Sequence, residues 1–339
     1  MKSGLSTAAL AALLAASTPT ETGAPAIPPP PPATPGLGTI LPPATMPSGF
    51  DPGKLPFEVA YGEETSPYRV NGVFVMPGED LVMEVKNRGG RDFSATAAAG
   101  LLVSRGPGAW TWRAPESPGL HSLTVKQMDG DSMQLNAFVM VPASRMRGGY
   151  LEGYRIGKYP ERPLKALRFY RNPRGFIRVD SQTAAALVSP HFRLGQFLCK
   201  QSQGYPSFLV LRERLVLKLE AVLEEVNRAG YRCDNFHVMS GYRTPWYNRD
   251  IGNVKHSAHQ FGGAADVFID ENPVDGSMDD LNGDGISDEK DSKILFGIVD
   301  RMSLNKYYLP YLGGVGQYNR NNIHGPFVHV DVRGFRAIW

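Results

Sequence analysis

The sequence predicts an α+β protein, a small all-β domain followed by a mixed domain of helices and strands, on three observations. Between about residues 53 and 143, apolar and polar side chains alternate at every second position. From Leu211 the apolar spacing changes to that of a helix. Beyond that helix, short apolar runs carrying His and Asp read as strands. A period of two marks a half-buried strand, and a period near 3.6 marks an amphipathic helix. With 339 residues the chain is long enough for two domains of ordinary size, at ~100–200 residues each.

The elements follow in order. Met1-Lys2 precedes an apolar run from Leu5 to Ala16 that ends in the small residues Ala15-Ala16-Ser17. This resembles a secretory signal over about residues 1–22, so the chain is expected to be exported, to the periplasm, cell envelope or exterior. The run is too short to span a bilayer, which takes ~20 apolar residues, and no other segment is long and apolar enough. Residues 23–52 are rich in Pro, Ala, Thr and Gly, with Pro28 to Pro32 unbroken. Such a stretch prefers extended polyproline geometry and reads as a semi-rigid linker.

In the segment 53–143, Val73, Val75, Leu81, Met83 and Val85 alternate with their neighbours, as do residues His121 to Val125. Asp129-Gly130 signals a hairpin turn, with Ala137 to Val141 returning. Trp110 and Trp112 are two apart, which places them on one face of a strand. Short strands at this spacing suggest a small immunoglobulin-like β-sandwich. It holds no catalytic constellation, so a spacer or a module binding a cell-wall or protein partner is expected. Residues 144–188 read as a connector rich in Gly, Tyr, Arg and Pro. In the domain 189–339, Ser207 is expected to cap a helix through Leu211, Leu215, Leu219, Val222, Leu223 and Val226 that Gly230 ends. Phe236 to Met239 then reads as a strand.

The motifs begin at the end of that strand. Ser240-Gly-Tyr-Arg243-Thr-Pro245 is followed by Ser257-Ala-His259, then Gly262-Gly263-Ala-Ala-Asp266, and much later by Phe327-Val-His329-Val-Asp331. Two His and one Asp make a three-ligand set for catalytic zinc, which leaves a fourth position for water. Zinc lowers the pKa of that water to ~7 and polarises a carbonyl. Asp266 and His329 sit in strand-like runs that pairing could bring together. His259 lies on the loop entering the first, with the glycines expected to let backbone approach the metal.

These motifs resemble the zinc D-Ala-D-Ala peptidases, which share their fold with hedgehog-type and lysostaphin-type domains. The periplasmic murein endopeptidase branch is the most similar, over about residues 189–339 only. The resemblance implies an antiparallel sheet with helices, zinc held by His259, Asp266 and His329, and hydrolysis of amide bonds in peptidoglycan peptide stems or crosslinks, by carboxypeptidase or endopeptidase action. It implies that Arg243 holds substrate near the reaction centre, where its fixed charge suits an oxyanion or a terminal carboxylate; a structural salt bridge is the alternative. Many members carry an acid three residues before the last zinc His as general base, and here that position is Pro326. Asp331, on the same strand face as His329, is either the base or a carboxylate that orients the ligand. His256 and His324 are further candidates for proton transfer, while His121, His191 and His237 lie outside the motifs. Without the acid, a non-catalytic binding protein on the same scaffold is the second reading.

A second pattern, Asp280, Asn282, Asp284, Ile286, Asp288 and Asp291 with Gly285 at the turn, matches a calcium loop of twelve residues, 280–291. Calcium there is expected to fix an insertion beside the zinc site. Cys199 and Cys233 form either a disulfide, which export permits, or two core thiols. A net charge of +3 from 36 basic and 33 acidic residues argues against a nucleic-acid binder, which concentrates basic charge on one face.

Overall fold

In the computed structural model, which describes residues 49–128, 130–201 and 204–339, the alternating segment forms two facing sheets. The expected export signal, most of the proline-rich stretch and Asp129 of the expected hairpin lie outside those residues. The strands are β1 (Lys54–Tyr61), β2 (Glu64–Tyr68), β3 (Val70–Val75), β4 (Asp80–Val85), β5 (Phe93–Ala97), β6 (Leu101–Gly106), β7 (Ala109–Arg113), β8 (Gly119–Gln127) and β9 (Ser132–Val139). One sheet has the order β2-β1-β4-β7-β6, the other β3-β9-β8-β5. Alternation puts Leu81, Met83 and Val85 inside while Val82 and Glu84 face solvent. Trp110 and Trp112 share the inner face of β7, and the Trp112 indole N–H donates to the Ala99 carbonyl at 2.7 Å. That bond satisfies the one polar atom that burying the ring would strand. Phe57, Met83, Trp112, Val125 and Leu135 belong to a single core between the sheets.

The stretch from residue 144 is built into the larger C-terminal core rather than spanning a gap. It supplies the hairpin strands β11 (Tyr150–Leu151) and β12 (Tyr154–Arg155), after β10 (Val141–Pro142), and then β13 (Gly175–Val179) and α1 (Ser181–Ala185). Tyr154, Ile156, Tyr170 and Phe176 are buried in the same cluster as the following helix. Ser207 opens a strand, β14 (Ser207–Leu209), and not the helix expected of it. Its segment pairs with Ile177–Val179 of β13, so ladder hydrogen bonds replace the capping turn a serine otherwise favours. The helix, α2 (Glu213–Arg228), starts six residues later and buries Leu215, Leu219, Val222, Leu223 and Val226. Gly230, at φ 94°, ends it in the left-handed conformation that only glycine adopts freely.

The rest of the chain gives β15 (Phe236–Ser240), α3 (Pro245–Asp250), β16 (Ala264–Ile269), α4 (Glu289–Met302), β17 (Gly314–Tyr318), β18 (Phe327–Asp331) and β19 (Ala337–Ile338). These strands form one sheet in the order β15-β16-β18-β17-β19. Helix α4 lies on β17 and β18 and touches α2. Helix α2 also meets the β-sandwich. Buried Glu224 accepts from Lys54 Nζ and from the Tyr68 hydroxyl, each at 2.6 Å, and Glu213 accepts from the Phe74 N–H at 2.9 Å. The described residues accordingly fall in one compact unit. Cys199 and Cys233 are buried free thiols.

Candidate metal centre

The register of the C-terminal sheet aligns the site. Ser240 on β15 pairs with Asp266 on β16, Asp266 with His329 on β18, and His329 with Gly316 on β17. One row of residues therefore crosses four strands. His259 comes to it from a short 3₁₀ turn, Ala258–Phe261, just before β16. Gly262, at φ 66°, ends that turn, and a Cβ there would fall 2.5 Å from the Val210 carbonyl group. The space the glycine leaves is thus filled by Val210 backbone.

Three atoms meet: His259 Nε2, Asp266 Oδ1 and His329 Nδ1. Their separations are 3.2 Å for the two nitrogens, 3.2 Å from His259 to Asp266 and 2.8 Å from His329 to Asp266. Tetrahedral zinc with bonds of ~2.0–2.1 Å has ligand–ligand edges of ~3.3 Å, so the triangle is close to the right size. All three residues are buried. Each imidazole has its outer nitrogen engaged by an acceptor. His259 Nδ1 meets the Gly241 carbonyl at 2.6 Å, and His329 Nε2 meets Asp331 Oδ2 at 3.2 Å. An acceptor on the outer nitrogen draws the N–H there and leaves a lone pair on the inner one. Two lone pairs and a carboxylate oxygen then converge, an arrangement that a cation satisfies.

Burial and the facing charges favour the ligand form at His259 and Asp266, but not at His329. Burial pulls the His259 imidazole below its ordinary pKa, which keeps it neutral as a ligand must be. Burial alone would raise the Asp266 carboxyl, but the facing His259 and His329 hold it well below the usual range. Burial would lower His329, yet its hydrogen bonds to Asp266 and Asp331 raise it. The second Asp266 oxygen receives Arg243 Nη2, while Arg243 Nε donates to Ser240 Oγ at 2.8 Å. Arg243 therefore makes the salt bridge that was its alternative reading, and it also lines the cleft.

Asp331 is the most heavily used carboxylate. It accepts from Arg333 Nε at 2.9 and 2.8 Å, from Arg333 Nη2, from the Arg333 N–H at 3.1 Å and from the Gly314 N–H at 2.7 Å, besides meeting His329. Burial opposes its ionisation, but His329 and Arg333 overcome that and hold its pKa far below the carboxylate range. Sequence reasoning gave no role to Arg333, which lies just past the end of β18. Nor did it give a role to Trp339, whose ring lies 5.2 Å from that of His329 and whose Nε1 donates to the Tyr318 hydroxyl at 2.9 Å. Gly316 makes room for this ring, since a Cβ there would lie 2.5 Å from the indole nitrogen.

One pleat away lies an aromatic row. His237 pairs with Phe268 and stacks on it at 4.5 Å; Tyr318 pairs with Phe327 and stacks on it at 4.6 Å. These side chains and the metal row line a cleft of about 1320 Å³ that also reaches His256 and His324.

In the loop 280–291, where calcium is expected, the acidic side chains bond to the loop's own backbone N–H groups. Asp280 accepts from the N–H groups of Gly283, Asp284 and Gly285, Asn282 from that of Asp284, and Asp291 from those of Leu281, Asn282 and Asp288. Asp288 caps α4 through the Lys290 N–H. Asp284 accepts from the Ile286 N–H and pairs with Lys290 at 2.6 Å. The backbone and one ammonium group thus serve these carboxylates. Among the described residues, only His259, Asp266 and His329 bring three such ligand atoms within 4.8 Å of one another.

No curated protein matches the chain. A solved structure that does, "Crystal structure of titin M3 domain", is 11% identical, covers 24% of this chain and 97% of its own, and has a TM-score of 0.16, too low to bear on the fold. Residues 190–278, which carry Arg243, His259 and Asp266, match the family model of Peptidase M15. Over that segment the chain is similar to a zinc-dependent peptidase family, and the buried His-Asp-His triangle, whose His329 lies outside the matched residues, has the donor set such a metal requires.

Proposed function

We propose that this chain is a zinc peptidase that hydrolyses amide bonds in peptidoglycan peptides, in their stems or crosslinks. The observation that carries the proposal is the triangle of His259 Nε2, Asp266 Oδ1 and His329 Nδ1, buried and open on one side to a cleft large enough for a peptide. The donors, two imidazole nitrogens and one carboxylate oxygen, fit a catalytic zinc, and when bound the metal supplies an acidified water and a Lewis acid. The protein's part is positional. The Gly241 carbonyl and Asp331 set the tautomers of His259 and His329, and Arg243 with Ser240 holds Asp266 in place. Between its two expected roles, Asp331 takes that of orienter, because a carboxylate already accepting from Arg333 and Gly314 has little basicity to offer. Arg243, whose fixed charge reaches the cleft, steadies an oxyanion or a substrate carboxylate. With Pro326 in the place of the family acid, the imidazoles of His237, His256 and His324 on the cleft wall are the groups able to move a proton.

Export by the N-terminal segment would bring the enzyme to this polymer, and the murein endopeptidase branch points to crosslinks as its target. Purified protein incubated with peptidoglycan, with and without a chelator, tests the proposal by mass spectrometry of the released fragments. The peptidase reading expects chelator-sensitive cleavage that His259→Ala abolishes while the protein stays soluble. Chelator-sensitive binding without cleavage would instead support the non-catalytic reading.

A further inference from the structure

We propose that the cleft selects peptides carrying free carboxylates away from the scissile bond, through Lys200, Lys255 and Arg320; the peptide nature of the ligand rests on the reading above. Five cationic side chains line the cleft, Lys200, Arg243, Lys255, Arg320 and Arg333, against one carboxylate, Asp266. The chain as a whole is nearly balanced, with 36 basic and 33 acidic residues, so the asymmetry is local. Two of the five are already committed, Arg243 to Asp266 and Arg333 to Asp331. The other three have no carboxylate partner among the described residues; Arg320 donates to the Ser287 carbonyl at 3.2 Å.

These three come from separate segments. Lys200 precedes β14, Lys255 precedes the turn that carries His259, and Arg320 lies between β17 and β18. All three are exposed, so they stand around the cleft without being folded into its floor. Like charges placed around a cleft focus the field within it and raise the local concentration of anions. The aromatic row offers the same ligand an apolar floor. A substrate with carboxylates on either side of an aliphatic stretch uses both features, whereas its amidated counterpart uses only the floor.

The test compares soluble muropeptides in two forms, with side-chain carboxylates free or converted to amides, using the full zinc-loaded chain. An exposed ion pair contributes ~0.2–1 kcal/mol, or roughly a 1.5- to fivefold change in affinity for each charge. The carboxylate form is expected to show a KM roughly tenfold lower at low salt, an advantage that shrinks as salt screens the rim. Lys255→Gln and Arg320→Gln should each raise that KM roughly two- to fivefold with kcat unaltered, and should not change the KM of the amidated form. Equal KM for the two forms overturns the charge selection and leaves the peptidase reading intact. If neither form is cut, the peptidase reading fails, and calorimetry of both forms with the His259→Ala protein decides the selection alone. Tighter binding of the carboxylate form upholds it, and equal binding overturns it.

Discussion

Replacing Asp331 with Asn separates a carboxylate that orients a ligand from one that takes a proton. The side chain keeps its size, and Oδ1 remains to accept from the Gly314 N–H or Arg333 Nε. The other position becomes an amide NH₂ that faces the His329 Nε2–H and the Arg333 guanidinium, donor against donor. His329 then loses the acceptor that keeps its proton on Nε2, and the tautomer with the proton on Nδ1 blocks the metal position. Loss of such an outer partner weakens metal affinity ~10–100-fold, which is ~1.4–2.7 kcal/mol of binding free energy. Removing the charge from bonds that Arg333 makes should also lower folding stability by ~1.5–3 kcal/mol. Competition against a chromophoric chelator measures the zinc Kd, and turnover is then read at saturating zinc. The expected result is a Kd raised within that range, with much of the turnover restored by excess zinc. An unchanged Kd with turnover abolished at saturating zinc would make Asp331 the base and refute the argument.

Three other outcomes follow from the same contacts. Glu224→Ala removes the shared acceptor of Lys54 and Tyr68 between α2 and the β-sandwich, so urea unfolding should show a loss of about 3 kcal/mol; an unchanged midpoint would mean that the clamp contributes nothing. Burial pulls His191 down, but the Glu220 carboxylate at 2.7 Å outweighs it and holds the imidazole above its ordinary value. A raised folded-state pKa gives stability that is complete below the unfolded value of ~6.5 and is lost as pH rises through the higher folded value. Melting temperature should therefore fall over that window more steeply in the wild type than in Glu220→Gln, and parallel curves would contradict the assignment. Gly316→Ala places a methyl group 2.5 Å from the Trp339 indole nitrogen; zinc affinity should drop as the ring is pushed from His329, at a cost of ~1–3 kcal/mol in stability. Unchanged fluorescence of the indole and unchanged affinity would show the ring to be a bystander.

What the sequence made legible was local. The alternation of Leu81, Met83 and Val85 and the two-residue spacing of Trp110 and Trp112 report directly on which face is buried. Asp266 and His329 read as strand residues because their neighbours are apolar, but that they face each other depends on the register of β16 against β18, which no local pattern carries. The helix start was misplaced for the same kind of reason. Ser207 has the chemistry of a cap, and only the remote segment Ile177–Val179 makes it a strand residue. The burial of Tyr154, Phe169 and Phe176, in a stretch whose glycines and prolines suggest a connector, likewise depends on partners far along the chain. Asp331 was readable as a candidate but not as to its role, because the direction of the Arg333 guanidinium decides that. In the loop 280–291 the pattern of acidic residues was clear, whereas the Lys290 ammonium beside Asp284 and Asp288 appears only in three dimensions.

The most direct test of the central claim is X-ray absorption at the zinc edge on the metal-loaded chain. The account predicts one zinc per chain with light ligands at ~2.0–2.1 Å, two of them showing the multiple scattering of imidazole rings, and no sulfur. A sulfur shell at ~2.3 Å, a single imidazole, or the same spectrum from the His329→Ala protein would contradict it.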